Sequence, residues 1–81
     1  MKYVYIVCSV NKNTGEITRV REIFSDIERA VNRAIVLIQD AGNNPDVETL
    51  RWHIKSYLDG KGEFWDRAFE AAVFARQVDS M

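Results

Sequence analysis

Cys8 and His53, the single cysteine and the single histidine of the chain, are the side chains best suited to nucleophilic or general-base chemistry. A reactive cysteine needs a neighbouring cation or a helix N-terminus that lowers its pKa. Cys8 lies in a run of valine and isoleucine, and His53 is distant in the sequence. We therefore expect Cys8 to be an inert core residue and His53 to be an ordinary surface residue.

Metal and phosphate sites are equally poorly supported. One cysteine and one histidine cannot form a zinc site made of these ligands. The segment 59–63, Asp-Gly-Lys-Gly-Glu, lacks the spacing of a phosphate-binding loop. Asp46 and Glu48 suit the start of a helix, where they complement its dipole. We predict no catalytic residue, no metal and no cofactor, and hence a protein that is not an enzyme.

Composition indicates a globular domain. The chain has 81 residues, of which 47% are apolar and 28% charged, and its net charge is −1. This charge argues against a strongly basic nucleic-acid-binding domain. The apolar run at residues 3–10 is far shorter than the roughly 20 residues that span a bilayer. We expect a single domain over residues 1–81, located in the cytoplasm, without a membrane partner.

The first 24 residues predict a β-hairpin with strands at 2–11 and 16–24. Between them, Gly15 is expected to adopt a positive φ in a bulged turn. The predicted register places Cys8 opposite Val20 and Ile6 opposite Glu22. Because side chains alternate between faces, Val4, Ile6, Cys8 and Val20 share a face, which we expect to be the core side.

Glu22 is out of place on that core face, because an unpaired buried charge is costly. We expect it to lie near the sheet edge in solvent. In the alternative, it pairs with Arg29, Arg33 or Lys55.

Three helices are predicted after the hairpin. The first opens with a capping box of Ser25 and Glu28 and closes at Gly42. The second begins at Asn44–Pro45 and ends at Gly60; a third strand at about 50–58, which would give a ββαβα order, is the alternative. Residues 63–78 are rich in helix formers and predict the last helix. The fold class is thus α+β, with an N-terminal antiparallel hairpin followed by three helices.

The strongest functional signal is a group of aromatic and basic side chains in the hairpin. Tyr3, Tyr5, Arg19 and Arg21 share the hairpin face opposite the expected core, and these residue types are enriched in binding hot spots. Residues 1–24 carry four basic and two acidic side chains, a net +2. Trp52 lies outside the apolar stripe of its helix and joins the predicted partner-binding residues. In the alternative, the C-terminal helix covers Tyr3 and Tyr5, which are then core.

The N-terminal half resembles the hairpin-then-helix openings of small phage and prophage proteins. The resemblance covers about the first 40 residues and includes the helix start formed by Phe24, Ser25, Glu28 and Ala30. Some small phage proteins block host machinery, including CRISPR effectors and other defence systems, by binding without catalysis. The resemblance therefore implies a phage-encoded inhibitor that acts in the host cytoplasm.

Two functions follow from the sequence. The first is a non-enzymatic binding protein that inhibits or modulates a host protein or a protein–nucleic acid complex, for example as an anti-CRISPR or other anti-defence protein. Direct binding to nucleic acid alone is expected to be weak, because few phosphates can be neutralised. The alternative is a small-ligand or nucleotide-binding domain that acts as a homodimer.

Overall fold

The computed structural model describes residues 2–78, which form an antiparallel sheet and two helices. The elements, in chain order, are β1 (Lys2–Val10), β2 (Ile17–Phe24), α1 (Ile27–Asp40), α2 (Val47–Lys61), β3 (Glu63–Asp66) and β4 (Ala71–Val78). The strand order across the sheet is β2-β1-β4-β3. Neither helix in this part of the chain is long and apolar enough to cross a membrane.

The α+β class is confirmed, but the prediction of three helices is wrong. Residues 63–78, predicted as the last helix, contain strands β3 and β4 instead. The alternative ββαβα order is also wrong, because residues 47–61 form one continuous helix. The chain therefore consists of a β-hairpin, a helical hairpin and a second β-hairpin.

The second β-hairpin places β4 at the centre of the sheet, between β1 and β3. Phe64 is buried against the helices, whereas its neighbour Trp65 is exposed on the opposite face, as alternation in a strand requires. Residues 71–74 are buried on both faces, so they show no alternation by which a strand could be recognised. Tertiary packing outweighs the helix propensity of the alanines here.

The turn of this hairpin is stabilised locally. Asp66 Oδ1 accepts hydrogen bonds from the backbone N–H groups of Ala68, at 2.9 Å, and Phe69, at 3.3 Å. Glu70 then adopts a left-handed conformation with φ of 60°. An aspartate that accepts from residues two and three positions ahead is a turn signal, and it marks the break that a continuous helix would not have.

Both helices are capped by an aspartate. The cap lies one position later than predicted in α1 and two positions later than predicted in α2. Asp26 rather than Ser25 caps α1 and accepts from the N–H of Glu28. Asp46 rather than Asn44 caps α2. The carboxylate is the stronger acceptor at the positive end of the helix dipole.

The left-handed glycines were predicted in two of three places. Gly15 and Gly42 have φ values of 78° and 92°, as predicted for the turn and for the end of α1. Helix α2, however, continues past Gly60 and ends at Gly62, whose φ is 76°. Gly60 is tolerated inside the last turn of the helix.

The helices cover the sheet face that the sequence predicted to be open. Val7 lies in the main core with side chains of both helices, and Tyr5 packs against it. Cys8 and Val10 belong to a separate cluster on the opposite face, with Ala72 and Phe74. The expected core face of Val4, Ile6, Cys8 and Val20 is therefore the uncovered one, because α1 follows β2 on the other side of the sheet.

Two irregularities in the pairing of β1 with β2 explain why the sequence assigned Glu22 to the wrong face. Cys8 pairs with Val20 as predicted, but the register shifts between Val7 and Cys8 and again between Ser9 and Val10. As a result Glu22 pairs with Val7, not with Ile6, and faces the helices. A β-bulge moves every residue beyond it to the other face.

Ile38 tests the packing of α1. It is fully buried among core residues. We expect Ile38→Ala to lower the free energy of unfolding by about 2–5 kcal/mol, measured by urea denaturation. Val36, on the exposed side of the same helix, provides the control, because Val36→Ala removes no core contact and should change stability by less than about 0.5 kcal/mol. Equal effects would contradict the packing.

The position of the α1 cap can be tested in the same way. We expect Asp26→Ala to cost about 1 kcal/mol, because it leaves the N–H of Glu28 without its acceptor. Ser25→Ala should cost only a few tenths of that amount. A larger loss for Ser25→Ala than for Asp26→Ala in urea denaturation would restore the cap that the sequence predicted.

Candidate interaction surfaces

The uncovered side of the sheet, here called the open face, is mainly apolar. Within residues 2–78 no helix packs on it. Strand pairing assigns the following side chains to this face: Ile17, Val20 and Ile23 from β2; Lys2, Val4, Ile6, Cys8 and Val10 from β1; Ala72, Phe74, Arg76 and Val78 from β4; and Glu63 and Trp65 from β3. Isolated exposed apolar residues are common on proteins, but a contiguous set across four strands marks an interaction surface.

Two neighbouring rows cross the middle of the open face. One row consists of Ile23, Ile6 and Phe74 and ends at Glu63 of β3; the other consists of Val20, Cys8 and Ala72 and ends at Trp65 of β3. Cys8 and Ala72 are buried although nothing covers the face, so they form the floor of a depression between larger neighbours. Val20 is 53% exposed and Ile23 61% exposed, so the rim of the face is solvated.

Aromatic stacking organises the β3 side of the open face. The ring of Trp65 lies edge-on to that of Phe74, with centroids 6.2 Å apart. The guanidinium of Arg76 lies 5.1 Å from the centroid of the same phenyl ring. These contacts hold Trp65 in place while leaving it 52% exposed, which suits an aromatic group at an interface.

The helix side of β2 carries an arginine surface, formed by Arg19, Arg21 and Arg33. The three side chains line one shallow cavity of about 290 Å³ with Val20. Within residues 2–78 neither Arg19 nor Arg21 has a carboxylate partner within ion-pair distance. Two exposed guanidinium groups therefore stand beside a third.

Glu22 is the acidic side chain that forms an ion pair with this surface, through Arg33. Its Oε1 lies 2.9 Å from Nε of Arg33, and both side chains remain partly exposed. The contact is an ion pair without hydrogen-bond alignment, since Nε of Arg33 has no partner of suitable geometry. Glu22 thus lies in an edge strand, as expected. Its partner is Arg33, one of the three cations considered in the alternative. Glu22 holds Arg33 in position beside Arg19.

The predicted binding residues do not form one surface. Tyr3 and Tyr5 are on the same side of the sheet as Arg19, but the helices cover this side. They line a cavity of about 370 Å³ with Ile27, Leu58 and neighbouring residues, at the opposite end of β1. Four residues along β1 separate Tyr5 from the level of Arg19, which is about 13 Å.

The hypothesis of one continuous Tyr/Arg hairpin surface is therefore corrected to two separate groups. Tyr5 packs against the core, as in the alternative interpretation, although helices α1 and α2 cover it and not a C-terminal helix. Tyr3 is exposed at the margin. Only Arg19 and Arg21 remain together.

Trp52 and His53 lie on the exposed side of α2. Trp52 is 69% exposed, so it is accessible as predicted. His53 is also exposed and stacks with Tyr57, whose ring centroid is 4.8 Å away. No group of three or more potential metal-ligating side chains occurs within the described range.

Cys8 is buried on the floor of the open face. Burial raises the pKa of its thiol above the ordinary value of 9.0, so the reactive thiolate is disfavoured at neutral pH. This direction is opposite to that of an activated nucleophile.

Sequence reasoning missed the open face, and it named Arg33 only as one of three possible partners of Glu22. The signal for the open face is the spacing of Ile17, Val20 and Ile23, which recur every third residue within a strand. A regular strand cannot place such residues on one face, so this spacing requires bulges. No comparable signal singles out Arg33 from Arg29 and Lys55, because its proximity to β2 depends on how α1 packs.

Comparisons with known proteins return no match: no protein-family model matches the chain, and no curated protein or solved structure is significantly similar. The resemblance of the first 40 residues to phage proteins therefore stays a prediction.

We expect Cys8 to react slowly with a thiol reagent in the native protein and rapidly in urea, because the folded state shields it and raises its pKa. Because the thiol pKa is higher in the folded state, the unfolded chain loses the thiol proton at a lower pH than the folded chain does. The contribution of Cys8 to the free energy of unfolding is therefore constant below pH 9 and falls above it. Comparison with Cys8→Ala isolates this decrease. Rapid native labelling at neutral pH would show an accessible, activated thiol instead.

Proposed function

We propose that this chain is a non-enzymatic binding protein, whose arginine surface attaches to an acidic surface of another protein. The observation that supports the proposal is the convergence of Arg19, Arg21 and Arg33 on one cavity, whose described lining includes no acidic side chain. Guanidinium groups bind carboxylates in a forked geometry with two parallel hydrogen bonds. A surface rich in aspartate and glutamate is the matching partner.

The position of these arginines favours a protein over a nucleic-acid backbone. They occupy one small concavity and do not follow a long groove, so only a few phosphates could be neutralised at once. Nucleic-acid affinity depends on many such contacts, each of which releases counterions. With a net charge of −1, the rest of the molecule repels a polyanion.

That the partner is a protein or a protein–nucleic acid complex of a phage host is a separate part of the proposal. Support for a host protein, or a protein–nucleic acid complex, as the target comes from the resemblance of residues 1–40 to small phage proteins. An inhibitor of this kind acts by occlusion, so affinity and surface complementarity determine its effect. A rigid sheet edge that presents arginines without large rearrangement suits that task.

The charge of the arginine surface is testable without a known partner. We expect the protein to bind poly-L-glutamate, measured by fluorescence anisotropy at low salt, more tightly than it binds a DNA duplex. The double variant Arg19→Glu/Arg21→Glu should weaken polyglutamate binding at least tenfold, because it replaces two donors of charged hydrogen bonds by repelling carboxylates.

The matched control is Lys61→Glu/Arg67→Glu, which changes the net charge equally at exposed positions outside the arginine surface. This control should retain most of the affinity. Equal losses in the two double variants would mean that only net charge matters and would contradict the proposed site. Tighter binding to the DNA duplex than to polyglutamate would identify a nucleic-acid backbone as the target instead.

A further inference from the structure

The cavity beside Tyr3 and Tyr5, here called the tyrosine cavity, lies where β1, α1, α2 and β4 meet. Its volume is about 370 Å³, which is within the range of roughly 300–1,000 Å³ that small-molecule sites occupy. Strand β1 contributes the two tyrosines, α1 contributes Ile27, and the last turn of α2 contributes Leu58 and Asp59. The arginine surface is at the opposite end of β1, so this cavity has no part in the proposed function.

The space exists because two of the lining residues have almost no side chain. Tyr5 pairs across the sheet with Ala75, which carries only a methyl group. The N–H of Ala75 donates to the carbonyl oxygen of Gly62 at 2.8 Å, which fixes the end of α2 beside β4. Gly62 has a φ of 76°, a conformation that favours glycine, so this position stays free of a side chain. The void is thus a consequence of the backbone at a helix end.

The electrostatics of the tyrosine cavity favour a cation. Asp59 is the acidic residue of the described lining, which includes no lysine or arginine. It lies in the last turn of α2, where the helix dipole already concentrates negative partial charge. A carboxylate at this place is unfavourable for the helix itself, and its field adds to that of the dipole. Both attract a positive group into the cavity.

The basic side chains of the described residues leave this carboxylate without a partner. Within residues 2–78 no ion pair includes Asp59. Lys61 belongs to the same turn, but its ammonium lies 5.5 Å from the ring centroid of Tyr57, which is outside the cavity lining. A cation from another molecule is therefore the matching group for Asp59.

The remaining walls suit an organic cation rather than a metal ion. Ile27 and Leu58 belong to the apolar core and its margin, and they offer surface to a hydrocarbon stem. A tyrosine ring attracts a cation by its face, and its hydroxyl oxygen accepts from an N–H group. Hard metal ions need several oxygen ligands, and the described part of the chain contains no cluster of three or more potential metal ligands.

A larger cavity, of about 630 Å³, does not select a ligand in this way. Its described lining includes Lys12 and Arg21 as well as Asp40 and Glu70. Charges of both signs are present there, so neither anions nor cations are favoured as a class.

We propose that the tyrosine cavity binds an alkylammonium group, which is a primary amine on a hydrocarbon stem. The stem packs toward Ile27 and Leu58, and the ammonium lies toward the tyrosines and Asp59. Two sources carry this chemistry: a free small amine, and the lysine side chain of another protein. Binding is non-covalent and involves no reaction.

The first experiment uses n-butylammonium, which is the lysine side chain without its backbone. In a titration followed by proton–nitrogen correlation NMR, the amide signals of Tyr5, Gly62 and Ala75 should shift, with the millimolar affinity expected for so few atoms. n-Butanol has nearly the same shape without the charge, and it should bind about fivefold more weakly. Equal binding of n-butanol would overturn the proposal, as would the absence of shifts at these three residues.

Asp59→Asn tests the carboxylate while its shape is kept. The variant should bind n-butylammonium about fivefold more weakly and n-butanol unchanged. The matched control is Asp40→Asn, which removes the same charge from the last residue of α1, outside the tyrosine cavity, and should retain the affinity. Asp59→Asn relieves a charge opposed to the helix dipole, so its stability in urea should be no lower than that of the unmodified protein. Equal affinities of the two variants would contradict the site.

Tyr3 tests the contribution of the aromatic rings. It is 47% exposed, so its replacement leaves the core intact. Tyr3→Leu keeps apolar surface without a ring and should weaken n-butylammonium binding about threefold, the effect of one exposed cation–π contact. Tyr3→Phe keeps the ring and should retain most of the affinity. Equal binding by the leucine and phenylalanine variants would overturn the role assigned to the ring.

A peptide with one internal lysine, acetyl-Gly-Lys-Gly-amide, separates the two sources. Binding at least as tight as that of n-butylammonium supports a lysine of another protein as the ligand, and weaker binding supports a free amine. Shifts caused by neither compound would overturn the proposal. Arg19→Glu/Arg21→Glu should leave these affinities unchanged, since its residues lie at the other end of β1, so failure here is distinguishable from failure of the proposed function.

Discussion

The antiparallel pairing of β1 with β4 supports the rest of the structure. It joins the two ends of the chain at the centre of the sheet and unites two hairpins that would each be marginal alone. Val7 and Val73 face each other in this pair, both fully buried, and α1 packs over them. Without this long-range pairing the helices would have no apolar surface to cover.

The same pairing gives the molecule two sides of different chemistry. Two helices joined by a short connection pack against one side, and the chain provides no third helix within residues 2–78 for the other. The central strands are apolar on both faces, although only one face packs against helices. Strand β2 belongs to both sides, with apolar groups on the open face and arginines on the helix side.

The sequence by itself determined the features that depend on neighbouring residues. The first hairpin, the positive φ of Gly15, helix α1 up to Gly42 and the helical state of residues 47–61 follow from turn chemistry, capping and apolar periodicity, all of which act within a few residues. The pairing of Cys8 with Val20 and the accessibility of Trp52 were also predictable. Caps shifted by one or two positions because several polar residues compete there.

Only the tertiary structure decided which face of the hairpin is core and what residues 63–78 become. The residues of β4 are apolar on both faces, so their pattern does not distinguish a central strand from a buried helix. Their state depends on β1, which is far away in the sequence. The bulges of β2 then changed the face of Glu22, and the packing of α1 brought Arg33 to Arg19. Local patterns contain no information on such distant contacts, because the free energy that selects them comes from burial shared between elements.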